Sequence, residues 1–353
     1  MQAYREDSRN LDCLRAAAVL FVYVAHLQQF VLQLHFQFYT LARFGVLIFF
    51  VHTSLVLLCS LERSPLNGTA TALNFYVRRI FRIYPLSLIT VLALTVFHIP
   101  PAPDVGYTWI GAKQLASNLL LTQNLTGAES TPVTLWSLPF EVQMYAALPL
   151  LFVLFRNRSV WTGLVLWAGS TIAVYFFGGI FSGIISYIPC FLGGLVAYQT
   201  LRRRAAIPAQ LWPAALLGIA ALHWLLVKYK APLPGLPQPV TCLTLGILIP
   251  LFKELPTSWL TKISHVIAKY SYGVYLSHLP VIWFAFVELR FAPAVARWAV
   301  LGVLSVIIPW VLYHLLEHPM IRFGRSLADR ICRKLTARED YMAQTLAAGE
   351  PAQ

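Results

Sequence analysis

Two ionisable residues stand inside an apolar run near the start of the chain, LRAAAVLFVYVAHLQQFVL, and their spacing suits paired chemistry. Arg15 and His26 are eleven residues apart. On a helix they would share a face to within about 20°, offset by a rise of about 16 Å. An arginine near one membrane surface would then lie below a histidine near mid-depth. Ionisable groups at that depth are costly, and they face a bundle interior or a water-filled cavity. Plainer roles compete for each: an arginine snorkelling to the interface, and a histidine hydrogen-bonded in the core.

Three further clusters carry groups of catalytic or binding type. In TLWSLPFEVQMYAALPLLF, residues 134–152, Glu141 lies inside an apolar run with Gln143 nearby and Tyr145 one turn on, on the same face. An intramembrane carboxylate needs a cationic or donor partner and marks a functional candidate. Pro139, near the start of that helix, is expected to break it and open a pocket lined by backbone groups. In NFYVRRIFRIYP, residues 74–85, Arg79 and Arg82 share a helix face while Arg78 points elsewhere. They read either as topology-setting charges or as a guanidinium fork for an anion, most naturally a phosphate. Pro85 is placed to kink that helix early in its span. In AKYSYGVYLSHLPVIW, residues 268–283, Ser271, Tyr275 and His278 form a polar stripe at helical spacing, a pattern that also serves helix–helix hydrogen bonding. His52, Thr53 and Ser54 are expected to line the same cavity. His314, Glu317 and His318 invite a metal reading, but two such ligands beside water are weak grounds and no metal site is assigned.

The elements that must hold these residues are membrane helices. Of 353 residues, 58% are hydrophobic and 12% charged, and the mean hydropathy is +0.66, whereas soluble domains carry about 25% charged residues. The fold class is therefore all-α, a polytopic transmembrane helical bundle. The net charge of +13 would suggest nucleic acid in a soluble domain. Here the basic residues fall between apolar runs, where they orient the chain, so the expected partner is the lipid bilayer and no nucleic acid. Five scattered cysteines without CxxC spacing indicate neither a disulfide framework nor a zinc site. The N-terminus, MQAYREDSRNLD, lacks the features of a cleaved signal peptide, so the first apolar run reads as a retained helix.

About ten spans are expected, at residues 13–32, 44–61, 80–98, 133–155, 160–177, 180–199, 211–228, 239–252, 270–289 and 294–316. With a cytoplasmic N-terminus, 21 of the 27 basic residues fall on the cytoplasmic side, which implies an even number of spans and both termini in the cytoplasm. The other six are Arg43, Lys113, Lys228, Lys230, Arg290 and Arg297. The longest outer loop, 99–132, contains IGAKQLASNLLL, expected to form an interfacial or re-entrant helix, and loops of that length are often lids. Residues 1–338 form a single domain, and 339–353 read as a disordered cytoplasmic tail.

Taken in order, these motifs resemble the acyltransferase 3 family of integral membrane acyltransferases, typified by bacterial polysaccharide O-acetylases. The family's Arg, ten residues, then His is matched by Arg15 and His26, and its Gly-Val-x-x-Phe-Phe-Val by GVLIFFV at 45–51. Arg-x-x-Arg followed by Ile-x-Pro is matched by Arg79, Arg82, Ile83 and Pro85. Trp-Ser-Leu-x-x-Glu is matched by Trp136, Ser137, Leu138 and Glu141, with Tyr145 in place. The late Ser-Tyr-x-x-Tyr-Leu-x-His-x-Pro is matched by Ser271, Tyr272, Tyr275, Leu276, His278 and Pro280. The resemblance runs from about residue 9 to 325. Two positions depart from it: the usual Leu-Ser-Gly-Phe is His52-Thr53-Ser54-Leu55, and a second acidic residue after Glu141 is Val142.

The resemblance implies transfer of an acyl group, commonly acetyl from acetyl-CoA or another acyl-CoA, to a hydroxyl of a carbohydrate or lipid-linked sugar. No cofactor is bound, because the acyl-CoA is a substrate. The protein would be a multi-pass component of the cytoplasmic (inner) membrane. An imidazole can act as base or acyl carrier, and His26 takes that role, with Glu141 orienting it or sharing its proton. Arg79 and Arg82 suit the donor's phosphates, and Arg15 its pantetheine end or a developing oxyanion. Trp136, Ser137, Tyr145, Ser271, Tyr275 and His278 would line the acceptor site or cavity. A transporter or flippase that moves an acylated substrate without making a bond is the competing reading. It should show two repeat-related halves, and none are evident.

Overall fold

In the computed structural model, residues 8–32, 35–66, 68–201, 205–229 and 235–347 are described, and among them no strand forms. The helices are α1 (Arg9–Leu32), α2 (His35–Glu62), α3 (Gly68–Val96), α4 (Ala112–Leu120), α5 (Gln123–Thr126), α6 (Leu138–Phe155), α7 (Val160–Ile185), α8 (Ile188–Thr200), α9 (Trp212–Lys228), α10 (Pro237–Leu248), α11 (Trp259–Trp283), α12 (Ala294–Leu312) and α13 (His318–Ala347). This is a polytopic helical bundle. Every expected span falls on helical segments, because a segment crossing lipid has to satisfy its own backbone groups.

Seven of the helical stretches among the described residues are long and apolar enough to cross a bilayer. The other three expected spans differ, each for a physical reason. The expected 180–199 helix is broken near Ser186 and Tyr187, where α7 ends and α8 starts with Pro189 in its first turn. Its 13 residues rise only about 20 Å, short of the hydrocarbon thickness. At 239–252 the chain forms the 12-residue α10 and a 3₁₀ turn, Ile249–Leu251, that contains Pro250. α11 has the length, but its polar stripe keeps its hydropathy low.

α1 lies between α2 and α11, and α2 leans on α8, which packs on α10. Glycines set two of these distances. A Cβ at Gly45 would stand 2.6 Å from the Ala18 carbonyl oxygen and 2.8 Å from Val22 Cγ2, so α1 and α2 touch through a missing side chain. At Ser54, where the family pattern has glycine, the gap moves to the partner: a Cβ at Gly194 of α8 would lie 2.3 Å from Ser54 Cβ. Ser54 therefore serves this contact and not the cavity. The loop at 99–132 folds into α4 and α5, so IGAKQLASNLLL is helical as expected.

Two proline expectations are adjusted. Pro139 sits in the first turn of α6, where its missing N–H costs nothing, so it starts that helix and does not break it. Pro85 lies inside an uninterrupted α3. At the C-terminal end, α13 continues to Ala347, past Arg338, where a disordered tail was expected to begin. Its sequence, TAREDYMAQTLA, is rich in strong helix formers. Arg5, Arg202–Arg204 and Lys230, which carry part of the charge asymmetry, and residues 348–353 lie outside the described residues.

Candidate active site

α1 is the axis of the site. Arg15 and His26 do share a face, and each enters a different cavity beside that helix. Val46 of α2 and Tyr275 of α11 line both cavities, so the two adjoin. We refer to them as the arginine cavity and the histidine cavity.

The arginine cavity spans about 790 Å³, including space open to solvent. Arg15, Arg79 and Arg82 bring three guanidinium groups to it, and Glu141 one carboxylate. Arg15 Nε donates to Ser271 Oγ at 2.7 Å, and that hydroxyl donates onward to the Ala268 carbonyl at 2.8 Å. Because a hydroxyl carries one proton, Ser271 is held as an acceptor toward Arg15. Glu141 accepts from the Tyr145 hydroxyl and lies within electrostatic reach of Arg15 and Arg79. Tyr275 donates to the Thr134 carbonyl at 2.7 Å, so it accepts from Ser137 at 2.8 Å. That bond satisfies a carbonyl in the 3₁₀ turn Val133–Ser137 that precedes α6. Tyr272 ties α11 to α3 by donating to the Ile83 carbonyl at 2.8 Å.

The two arginines of the expected fork are not equivalent. Arg82 is ion-paired with Glu317, whose side chain is only 1% exposed. Glu317 comes from a π-helical turn, Tyr313–Glu317, between α12 and α13. Arg79 Nε has no hydrogen-bond partner among the described residues. Arg78 points away, as expected, to Asp329 of α13 at 2.9 Å.

The histidine cavity encloses about 1520 Å³, including space open to solvent. His26 Nδ1 is 2.8 Å from the Val22 carbonyl and 3.3 Å from His278 Nε2. His278 Nδ1 is in turn 3.1 Å from the Val274 carbonyl. Trp136 lines this cavity with Arg43 over its ring at 5.6 Å, and Arg43 Nη1 also donates to the Tyr187 hydroxyl at 2.9 Å. Asp104 and Glu129 come from the 99–132 loop, which supplies part of this cavity's wall. Asp104 accepts from Gln29 at 3.2 Å and lies within electrostatic reach of His26.

The structure gathers the residues that the sequence singled out and sorts them differently. Arg15, Arg79, Arg82, Ser137, Glu141, Tyr145 and Ser271 line the arginine cavity, together with His52 and Thr53. Tyr275 lines both cavities; His26 and Trp136 line the histidine cavity. Two expectations are corrected. Glu141 is not placed to orient His26, because its α6 face turns toward Arg15 and Arg79. His278 does not line either cavity; it is 2% exposed and backs His26. Among the described residues no group of His, Cys, Asp and Glu could hold a metal. Of the rejected metal candidates, His314 bonds Tyr270 at 3.2 Å, His318 stacks on Tyr313, and Glu317 serves Arg82.

Asp104 and the structural roles of Tyr272 and Glu317 are not legible in the sequence. Asp104 lies in a loop without helical period, and nothing local signals its approach to His26. Glu317, an acid ending an apolar span, is visible in the sequence, but its partner Arg82 lies 235 residues away.

A family model described as an acyltransferase domain matches residues 8–314. That stretch takes in both cavities, with all their lining residues. No curated protein and no solved structure matches the chain.

Proposed function

The chain belongs to this acyltransferase family and is a multi-pass membrane acyltransferase, and from that premise we propose that it moves an acyl group, acetyl in the commonest case, from a coenzyme A thioester to a hydroxyl of a carbohydrate-type acceptor. The observation that carries this reading is the meeting of two unlike cavities along one face of α1. One is cationic, with Arg15, Arg79 and Arg82, and suits an anionic donor. The other is larger and holds an imidazole, an indole and two carboxylates, groups that suit a polyhydroxylated acceptor. The wall shared by Val46 and Tyr275 is where the two substrates would meet.

In this reading His26 takes the proton of the acceptor hydroxyl as its oxygen attacks the thioester carbonyl. Collapse of the tetrahedral adduct breaks the C–S bond, and the leaving thiolate recovers that proton from His26. An ester and free coenzyme A result. Arg15 is the cation best placed along α1 to hold the donor's arm or to stabilise the oxyanion. The arginine cavity would open toward the cytoplasm and its donor pool, since the basic flanks lie at that end.

The test is release of free coenzyme A from acetyl-CoA by purified protein, with and without hydroxylated acceptors. Acceptor-dependent release with stoichiometric ester formation is expected. Movement of an acylated substrate across vesicles without any thiol release would instead make the protein a transporter.

A further inference from the structure

A second basic recess adjoins the arginine cavity, and the acyl-transfer reading leaves it without a role. It encloses about 1280 Å³, including open space, where the end of α2 and the following turn meet α3 and α13. Arg63, Arg78, Arg79 and Arg333 line it against a single carboxylate, Asp329, which Arg78 already engages at 2.9 Å. Four guanidinium groups around one recess fit a ligand carrying several phosphates better than one carrying a single carboxylate.

Two observations connect this recess to the chemistry. Arg79 lines both the recess and the arginine cavity, so one extended ligand can occupy the two. The Nε atoms of Arg78 and Arg79 are buried without an acceptor among the described residues. These guanidinium groups are therefore not fully engaged by the protein. One wall is α13, which lies beyond the family match that stops at residue 314. It is docked on α3 by Cys332, whose thiol donates to the Ala70 carbonyl at 3.4 Å.

We propose that this recess binds the nucleotide end of the donor, the 3′-phosphorylated adenosine diphosphate of an acyl-CoA, with the pantetheine arm passing Arg79 into the arginine cavity. The proposal rests on the coenzyme A reading above. It moves phosphate recognition outward from Arg82, whose charge is committed to Glu317. The same phosphate chemistry is offered by anionic lipid headgroups, so the test separates the two.

The measurement is the ratio of kcat/KM for acetyl-CoA to that for S-acetylpantetheine, which lacks every phosphate, in phosphatidylcholine nanodiscs. Wild type is compared with Arg63→Ala and Arg333→Ala, both on exposed side chains. The wild-type ratio should be well above one and should fall about tenfold in each variant. Adenosine 3′,5′-bisphosphate should compete with acetyl-CoA and weaken in parallel. An unchanged ratio in both variants overturns the recess and leaves the coenzyme A donor standing. A wild type that accepts neither thioester overturns both readings. Losses that appear only when phosphatidylglycerol is present assign the recess to a lipid headgroup and overturn the nucleotide site.

Discussion

At His26 the chemistry depends on which ring nitrogen holds the proton. A backbone carbonyl can only accept, so the Val22 carbonyl places a proton on His26 Nδ1, and the Val274 carbonyl places one on His278 Nδ1. His278 Nε2 is then a lone pair 3.3 Å from His26 Nδ1 and shares its proton with the carbonyl. In the neutral ring this leaves the lone pair of His26 on Nε2, the atom a base or acyl carrier would use. His26→Gln and His26→Asn keep hydrogen-bonding capacity without an imidazole. Both should insert at wild-type levels and lose at least about a hundredfold in acyl transfer, the low end for losing general acid–base catalysis. Glu141→Gln should behave differently. It removes the negative charge facing Arg15 and Arg79, which leaves the cavity more cationic toward an anionic donor, so it should lower the donor KM and leave the pH profile of kcat where it is in wild type. A shifted profile would mean that Glu141 reaches His26 after all.

The Arg82–Glu317 pair acts at the scale of elements, because it pins α3 to the π-helical turn between α12 and α13. π-Helical turns concentrate at functional sites, and this one delivers an acid to a cavity wall. Arg82 is partly exposed, at 22%, and its partner is not. Arg82→Ala would leave a buried carboxylate without its cation, a loss of about 3–5 kcal/mol. It should lower the unfolding temperature in detergent, whereas Arg79→Ala should weaken donor use at nearly wild-type stability. Glu317→Gln in the Arg82→Ala background should recover part of the lost stability, since no unpaired charge remains. An Arg82→Ala protein that melts like wild type would reduce the pair to a surface contact. The tight α1–α2 seam at Gly45 has a related purpose: α1 carries both Arg15 and His26, so its depth and rotation set where both cavities receive their key groups.

At the scale of the whole molecule, the split of 21 basic residues against six predicts that both termini are cytoplasmic and that the 99–132 loop is outside. All five native cysteines are buried, so introduced thiols can be labelled over a quiet background. Lys113→Cys, at an exposed position in α4, should react with a membrane-impermeant maleimide in intact cells. Arg325→Cys, exposed on α13, should react only after permeabilisation. The reverse pattern would invert the molecule and place the arginine cavity away from the cytoplasmic donor pool.

Hydropathy alone located the helices, because a segment in lipid must close its own hydrogen bonds and so advertises its length and apolarity. Helical geometry alone put Arg15 and His26 on one face, since that relation lies within a single element and needs no neighbour. The order of the motifs was likewise sufficient to indicate the family. What lies between elements was not legible. Whether Glu141 meets His26 or Arg15 depends on the rotation of α6 relative to α1, and no local periodicity encodes it. The pairing of Arg82 with Glu317, 235 residues apart, depends on α3 and the end of α12 coming to the same place. Asp104 comes within electrostatic reach of His26 only because a loop folds back toward α1. A chain written in helices declares the faces of each helix; which faces share a cavity is decided by packing between segments far apart in sequence.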